Sequence, residues 1–137
     1  MKILAIDHGT KRIGFAVSDE LGITAKPLEV IHTKNSRQAI DLTIKLINKT
    51  NPHLILIGIP LSFNDSGSTQ TEIIKSFAKE IREKTGFPIK FWDESYSSVE
   101  VGAKKRKKYI DSEAAKIILQ EFLKAQTPDL TKTTNSH

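Results

Sequence analysis

Apolar residues fill two short runs at the start of the chain, residues 2–8 (KILAIDH) and 12–18 (RIGFAVS), on either side of a polar tip that contains a glycine. That pattern predicts two strands joined as an antiparallel hairpin. After the turn residues DELG, residues 23–31 (ITAKPLEVI) predict a third strand, and Pro27, which donates no ladder bond, assigns it to a sheet edge. The period then changes. From Ser36, the expected N-cap, Ile40, Ile44 and Ile47 recur at helical spacing up to Asn51-Pro52. Residues 53–60 (HLILIGIP) are continuously apolar, as in a central strand of a parallel sheet covered on both faces. The polar stretch LSFNDSGSTQ (61–70) reads as a loop. Ile73, Ile74, Phe77, Ala78 and Ile81 then mark a second helix ending near Gly86, with Pro88 beyond it. Residues 88–95 (PIKFWDES) form a fifth expected strand. Residues 96–110 are expected to be irregular, after which Ala114, Ala115, Ile118, Leu119, Phe122 and Leu123 define a third amphipathic helix.

The order β-β-β-α-β-α-β-α predicts an α/β domain: a mixed five-stranded sheet, three antiparallel strands and then two parallel ones, flanked by helices. Right-handed crossovers place the fourth strand beside the first and the fifth beside the fourth. The C-terminal ends of strands one, four and five then share one edge, which is where ligands sit in open α/β sheets. Three acidic positions converge on it: Asp7, the pair Asp93-Glu94, and Asp111. Mg²⁺ is held by carboxylate oxygens together with substrate phosphate, and two such ions clamp the attacking and leaving oxygens of a phosphodiester displacement. A carboxylate on a strand buried on both faces, as Asp7 is expected to be, is costly unless it serves a purpose. Side chains alternate along a strand, so Asp93 and Glu94 face opposite ways and only one of them suits the site. Asp111 fits two roles, a plain N-cap or a site residue on the stripe of Ala115, Ile118 and Phe122.

The 137 residues suit one domain, expected over 1–125 with a disordered tail at 126–137. The chain has 21 Lys and Arg against 16 Asp and Glu, a net charge of +5, which is the balance of a protein that meets polyanions. Its cations cluster. Lys11 and Arg12 stand at the first hairpin tip with Gly9 and Thr10, and Lys104, Lys105, Arg106, Lys107 and Lys108 precede the last helix. Such groups bind a phosphate backbone and read no sequence, and Gly9 lets backbone come close to a phosphate. The four histidines have no ligand spacing; His8 stands beside Asp7 within reach of a substrate, and Trp92 reads as core rather than as a base-stacking residue. The absence of cysteine excludes disulfides and thiolate metal sites. With no apolar run of about 18 residues and no signal-peptide pattern, the chain is expected to be cytoplasmic, without membrane contact.

Four blocks in order, DHGTKRIGFAVSD, GIP followed by a polar Gly-Ser loop, FPIKFWDES, and KRKKYIDSEAAKIILQEFL, resemble the YqgF family of Holliday junction resolvases and pre-16S rRNA nucleases. The resemblance runs from residue 1 to about 124. It implies an RNase H-like fold and metal-dependent phosphodiester cleavage with two Mg²⁺ or Mn²⁺ ions, and Asp7, Glu94 and Asp111 match the family's acidic positions. The chain departs from the family at DESYSS, where Ser95 replaces an arginine, at LSFNDSGS, and in a shorter segment before the basic run. The implied activity is endonucleolytic cleavage of structured RNA in pre-16S rRNA maturation. A four-way DNA junction cut by a homodimer is the first alternative, and the chain is expected to act as a monomer or a homodimer. Two other classes remain: a non-catalytic RNA-binding assembly factor, and a nucleotide-binding domain like those of actin-like ATPases, which need a second domain that this length does not supply.

Overall fold

In a computed structural model the protein is described over residues 1–9, 11–32, 35–59, 69–93 and 111–126. Its elements are β1 (Ile3–His8), β2 (Arg12–Ser18), β3 (Ala25–His32), α1 (Ser36–Thr50), β4 (Leu54–Ile59), α2 (Thr69–Thr85), β5 (Ile89–Asp93) and α3 (Asp111–Gln126). The five strands form one sheet in the order β3-β2-β1-β4-β5. β1 pairs antiparallel with β2 and β2 with β3, whereas β1 with β4 and β4 with β5 run parallel. This is the expected topology, with β1 at its centre and β4 an interior strand.

Alternation along the strands sends their side chains to two helical layers. On one face Leu4, Ile6, Phe15, Ile55 and Ile57 pack beneath Ile40 and Ile47 of α1 and Ile74, Phe77 and Ile81 of α2. On the other, Ile3, Ala5, Ala16 and Leu56 pack beneath Ala115, Ile118, Leu119 and Phe122 of α3. Each large apolar side chain buried in this way contributes about 1.5–3 kcal/mol relative to exposure. The helices stop where the chain permits a left-handed residue. Asn51 (φ 50°) donates its N–H to the Ile47 carbonyl at 2.8 Å, and Gly86 (φ 77°) does the same to Arg82 at 2.8 Å.

Several boundaries differ from the sequence reading, each for a local hydrogen-bonding reason. The N-cap of α1 is Asn35 rather than Ser36: Asn35 is extended (φ −151°, ψ 163°) and its Oδ1 accepts the Gln38 N–H at 2.8 Å. β3 begins at Ala25 rather than residue 23, because the N–H groups of Ile23 and Thr24 donate to Asp19 Oδ1 at 2.7 and 3.1 Å instead of to a neighbouring strand. α2 begins at Thr69, inside the stretch expected to be loop, with Thr71 buried and Glu72 in its first turn, where an acid complements the helix dipole. α3 extends through Gln126, one residue into the expected tail. Pro27 lies on the edge strand as expected, opposite Ala16 and next to an irregularity in register between Gly14 and Ala16. Thr10, residues 60–68, Glu94 and the rest of 94–110, and the tail from 127 lie outside the described residues.

Candidate functional site

Asp7 is the fifth residue of the central strand and sits opposite Gly14 of β2. On its other side the β1–β4 register runs through Ile6 and Ile57, so its next step sets Asp7 beside Gly58, which itself pairs with Trp92 of β5. Gly14, Asp7, Gly58 and Trp92 therefore form one row across the sheet, on the face that Ile3, Ala5 and Leu56 present to α3. Both glycines are buried and Asp7 is half-buried. Glycine on either side puts no side chain next to the carboxylate within the row. A carboxylate is the hard-oxygen donor that a divalent cation takes.

Trp92 closes the row. Its indole stands edge-on to Phe122 of α3, with ring centroids 5.6 Å apart at 89°, so its larger part belongs to the α3 core, as expected. Its Nε1 is buried and has no hydrogen-bond partner among the described residues. α3 meets the turn between β2 and β3 at Leu123, whose Cδ2 lies 3.9 Å from the position of a Cβ on Gly22. Asp111 opens the same helix at its other end, and its side chain lies outside the described residues.

His8 follows Asp7 and faces the opposite layer. Its ring packs against Phe77 of α2 with centroids 4.5 Å apart, and burial pushes the imidazole below its ordinary pKa. The residue expected within reach of substrate is thus held in the α2 layer. Its backbone is held as well: Gln70 Nε2 donates to the His8 carbonyl at 3.1 Å. The β1–β4 pairing runs from Ile3 and Leu54 as far as Ile6 and Ile57. The first turn of α2 thus supplies a donor to the His8 carbonyl from a side chain.

At the tip, the Gly9 N–H bonds the Arg12 carbonyl at 2.8 Å, and a Cβ on Gly9 would stand 2.8 Å from that same oxygen. Glycine is required here by the turn itself, and its amide is engaged within the hairpin rather than by a ligand. Lys11 and Arg12 are exposed beside it. Asp93 pairs with Ile59 and shares that residue's face, opposite to the face of Asp7. Among the described residues no three acidic or histidine side chains gather into a group able to hold a metal. Glu94 and the basic run 104–108 lie outside the described residues. Gly14, Gly58 and Gln70 were not singled out by the sequence reading. The signal for the glycines was present, one isolated glycine within each of two apolar strand patterns.

The family described as RuvX, Holliday junction resolvase, matches residues 1–125. Curated relatives carry the name "Putative pre-16S rRNA nuclease". One from Carboxydothermus hydrogenoformans is 38% identical over 132 residues, covering 90% of this chain and 96% of the relative. One from Koribacter versatilis is 36% identical over 137 residues, covering 93% and 90%. Among solved structures, Thermus thermophilus RuvC in complex with a Holliday junction substrate superposes with a TM-score of 0.65 at 14% identity, over 92% of this chain and 95% of that one. The fowlpox virus Holliday junction resolvase gives a TM-score of 0.54 at 16% identity, over 91% and 99%. The architecture is that of the RNase H-like resolvases.

Proposed function

The chain belongs to the RuvX family of Holliday junction resolvases, and from that premise we propose that it is a metal-dependent endonuclease that hydrolyses phosphodiester bonds in precursor 16S rRNA. The observation that carries the proposal is the placement of Asp7, at the end of the central strand, between Gly14 and Gly58 and beside the Lys11–Arg12 tip. Asp7, Glu94 and Asp111 would hold Mg²⁺ or Mn²⁺, with Asp93 set aside because its carboxylate lies on the other face. When bound, such ions supply positive charge to the attacking and leaving oxygens of the displacement. Asp7 presents its carboxylate from a strand clamped on both sides, Gly9 keeps the tip narrow, and Lys11 and Arg12 hold the phosphate backbone in place. The run 104–108 adds a second set of phosphate contacts.

A four-way DNA junction is the second substrate to consider, favoured by the family's description and cut by a two-fold symmetric dimer. One experiment separates the readings: cleavage of a labelled precursor-rRNA fragment and of a four-way junction, with Mg²⁺ or Mn²⁺ against EDTA, by the natural protein and by Asp7→Asn. Metal-dependent cutting of RNA that the variant lacks supports the proposal. Paired symmetric nicks in the junction move the substrate to DNA, and binding without cutting of either makes the protein a non-catalytic binding factor.

A further inference from the structure

We infer that the groove between β3 and α1 is a second nucleic-acid contact, a track that carries a single strand away from the hairpin tip. That the strand is RNA rests on the function proposed above; the track itself rests on the groove. A cavity of about 340 Å³ opens there, lined by residues 29 to 32 of β3 and by Leu42, Lys45, Leu46 and Lys49 of α1. Successive strand side chains point to opposite faces, so four consecutive residues line one cavity only along the strand's edge. β3 is that edge: it pairs with β2 and is the last strand in the sheet order.

The floor of the groove is apolar, with Ile31 and Leu46 buried and Leu42 packed against the same core. Its rim is cationic. Lys45 and Lys49, both exposed and about 6 Å apart along the helix axis, face a lining whose one acid is Glu29. His32 stands at the upper end and is the cross-strand neighbour of Arg12, so the groove begins where the tip ends. An apolar floor beneath a positive rim suits a single nucleic-acid strand, with bases against the floor and phosphates at the lysines. An extended peptide also fits an open strand edge. The choice follows from charge and continuity: the rim is positive, the chain carries +5, and the groove adjoins a tip already read as a phosphate contact.

The test measures binding of fluorescein-labelled RNA hairpins, blunt or with a single-stranded tail, by anisotropy in EDTA across a salt series. The full chain is compared with Lys45→Ala/Lys49→Ala, whose exposed positions leave the fold intact, as thermal unfolding checks. The natural protein should prefer the tailed RNA, and the double variant should lose that preference. Its log Kd against log salt should flatten by about 1.4 for two lost phosphate contacts on a single strand. Unchanged affinity and slope overturn the inference. So does capture of a glutamate-rich peptide by the natural protein but not by the variant, with RNA binding unaltered. Because binding is read in EDTA, a protein that binds tailed RNA through these lysines yet never cuts would sink the nuclease reading and leave the track standing.

Discussion

Asp7 of β1 lies directly across the first hairpin from Gly14 of β2, and the β1–β4 register, carried one step past Ile6 and Ile57, sets Gly58 on its other side. Within that row neither neighbour of the carboxylate carries a side chain. The framing links sequence to chemistry, since the same β1–β4 register that buries Ile6 against Ile57 sets Gly58 beside the acid.

Asp7→Asn keeps the size and shape of the side chain and removes its charge. Charge stabilisation by bound metal is worth several kcal/mol, and each 1.36 kcal/mol is tenfold in rate, so cleavage should fall by at least about a hundredfold. RNA binding in EDTA should stay within about twofold, because phosphate affinity resides in the cations. Single-turnover cleavage and anisotropy measure the two quantities separately.

Gly58→Val places a branched side chain beside Asp7 at a buried position. Inserting volume at a buried site costs about 1–3 kcal/mol in stability. Mn²⁺ affinity, read by electron paramagnetic resonance, should weaken by about tenfold, by analogy with changes just outside a metal's ligand shell. A variant that binds Mn²⁺ as well as the natural protein would show that the position beside Asp7 does not serve a cation.

Gln70→Ala leaves the His8 carbonyl without the Gln70 donor. The expected loss is about 1 kcal/mol in urea unfolding, the usual net worth of one hydrogen bond. Hydrogen exchange of the amides next to Asp7 should rise in the same variant, while those of α3 should not. Equal protection at the tip in both proteins would refute a tether through Gln70.

Asp19 contributes to the acid limb of stability. Its carboxylate accepts the Ile23 and Thr24 N–H groups, which hold its pKa below the ordinary 3.8. The unfolded chain therefore binds the proton first, and this stabilisation is present above pH 3.8 and lost as pH falls through the lowered folded value. Thermal midpoints recorded from pH 6 down to about 2.5 should fall less steeply for Asp19→Ala than for the natural protein. The variant should also be less stable at neutral pH, since two turn amides lose their acceptor.

What the sequence determined by itself was the set of elements and their order. Periodicity is a local property: Ile40, Ile44 and Ile47 must share a helix face, and the run LILIGI must be a doubly covered strand, whatever surrounds them. Crossover handedness then sufficed for the strand order and for bringing Asp7 and the end of β5 to one edge. Boundaries escaped because competing acceptors decide them, as Asn35 does for α1 and Asp19 for β3. Only the tertiary structure decided which residues stand beside Asp7. Cross-strand register is fixed by burial over the whole sheet, so no local pattern tells that Gly14 and Gly58 flank the acid, that Asp93 turns away from it, or that a side chain from α2 donates to the His8 carbonyl.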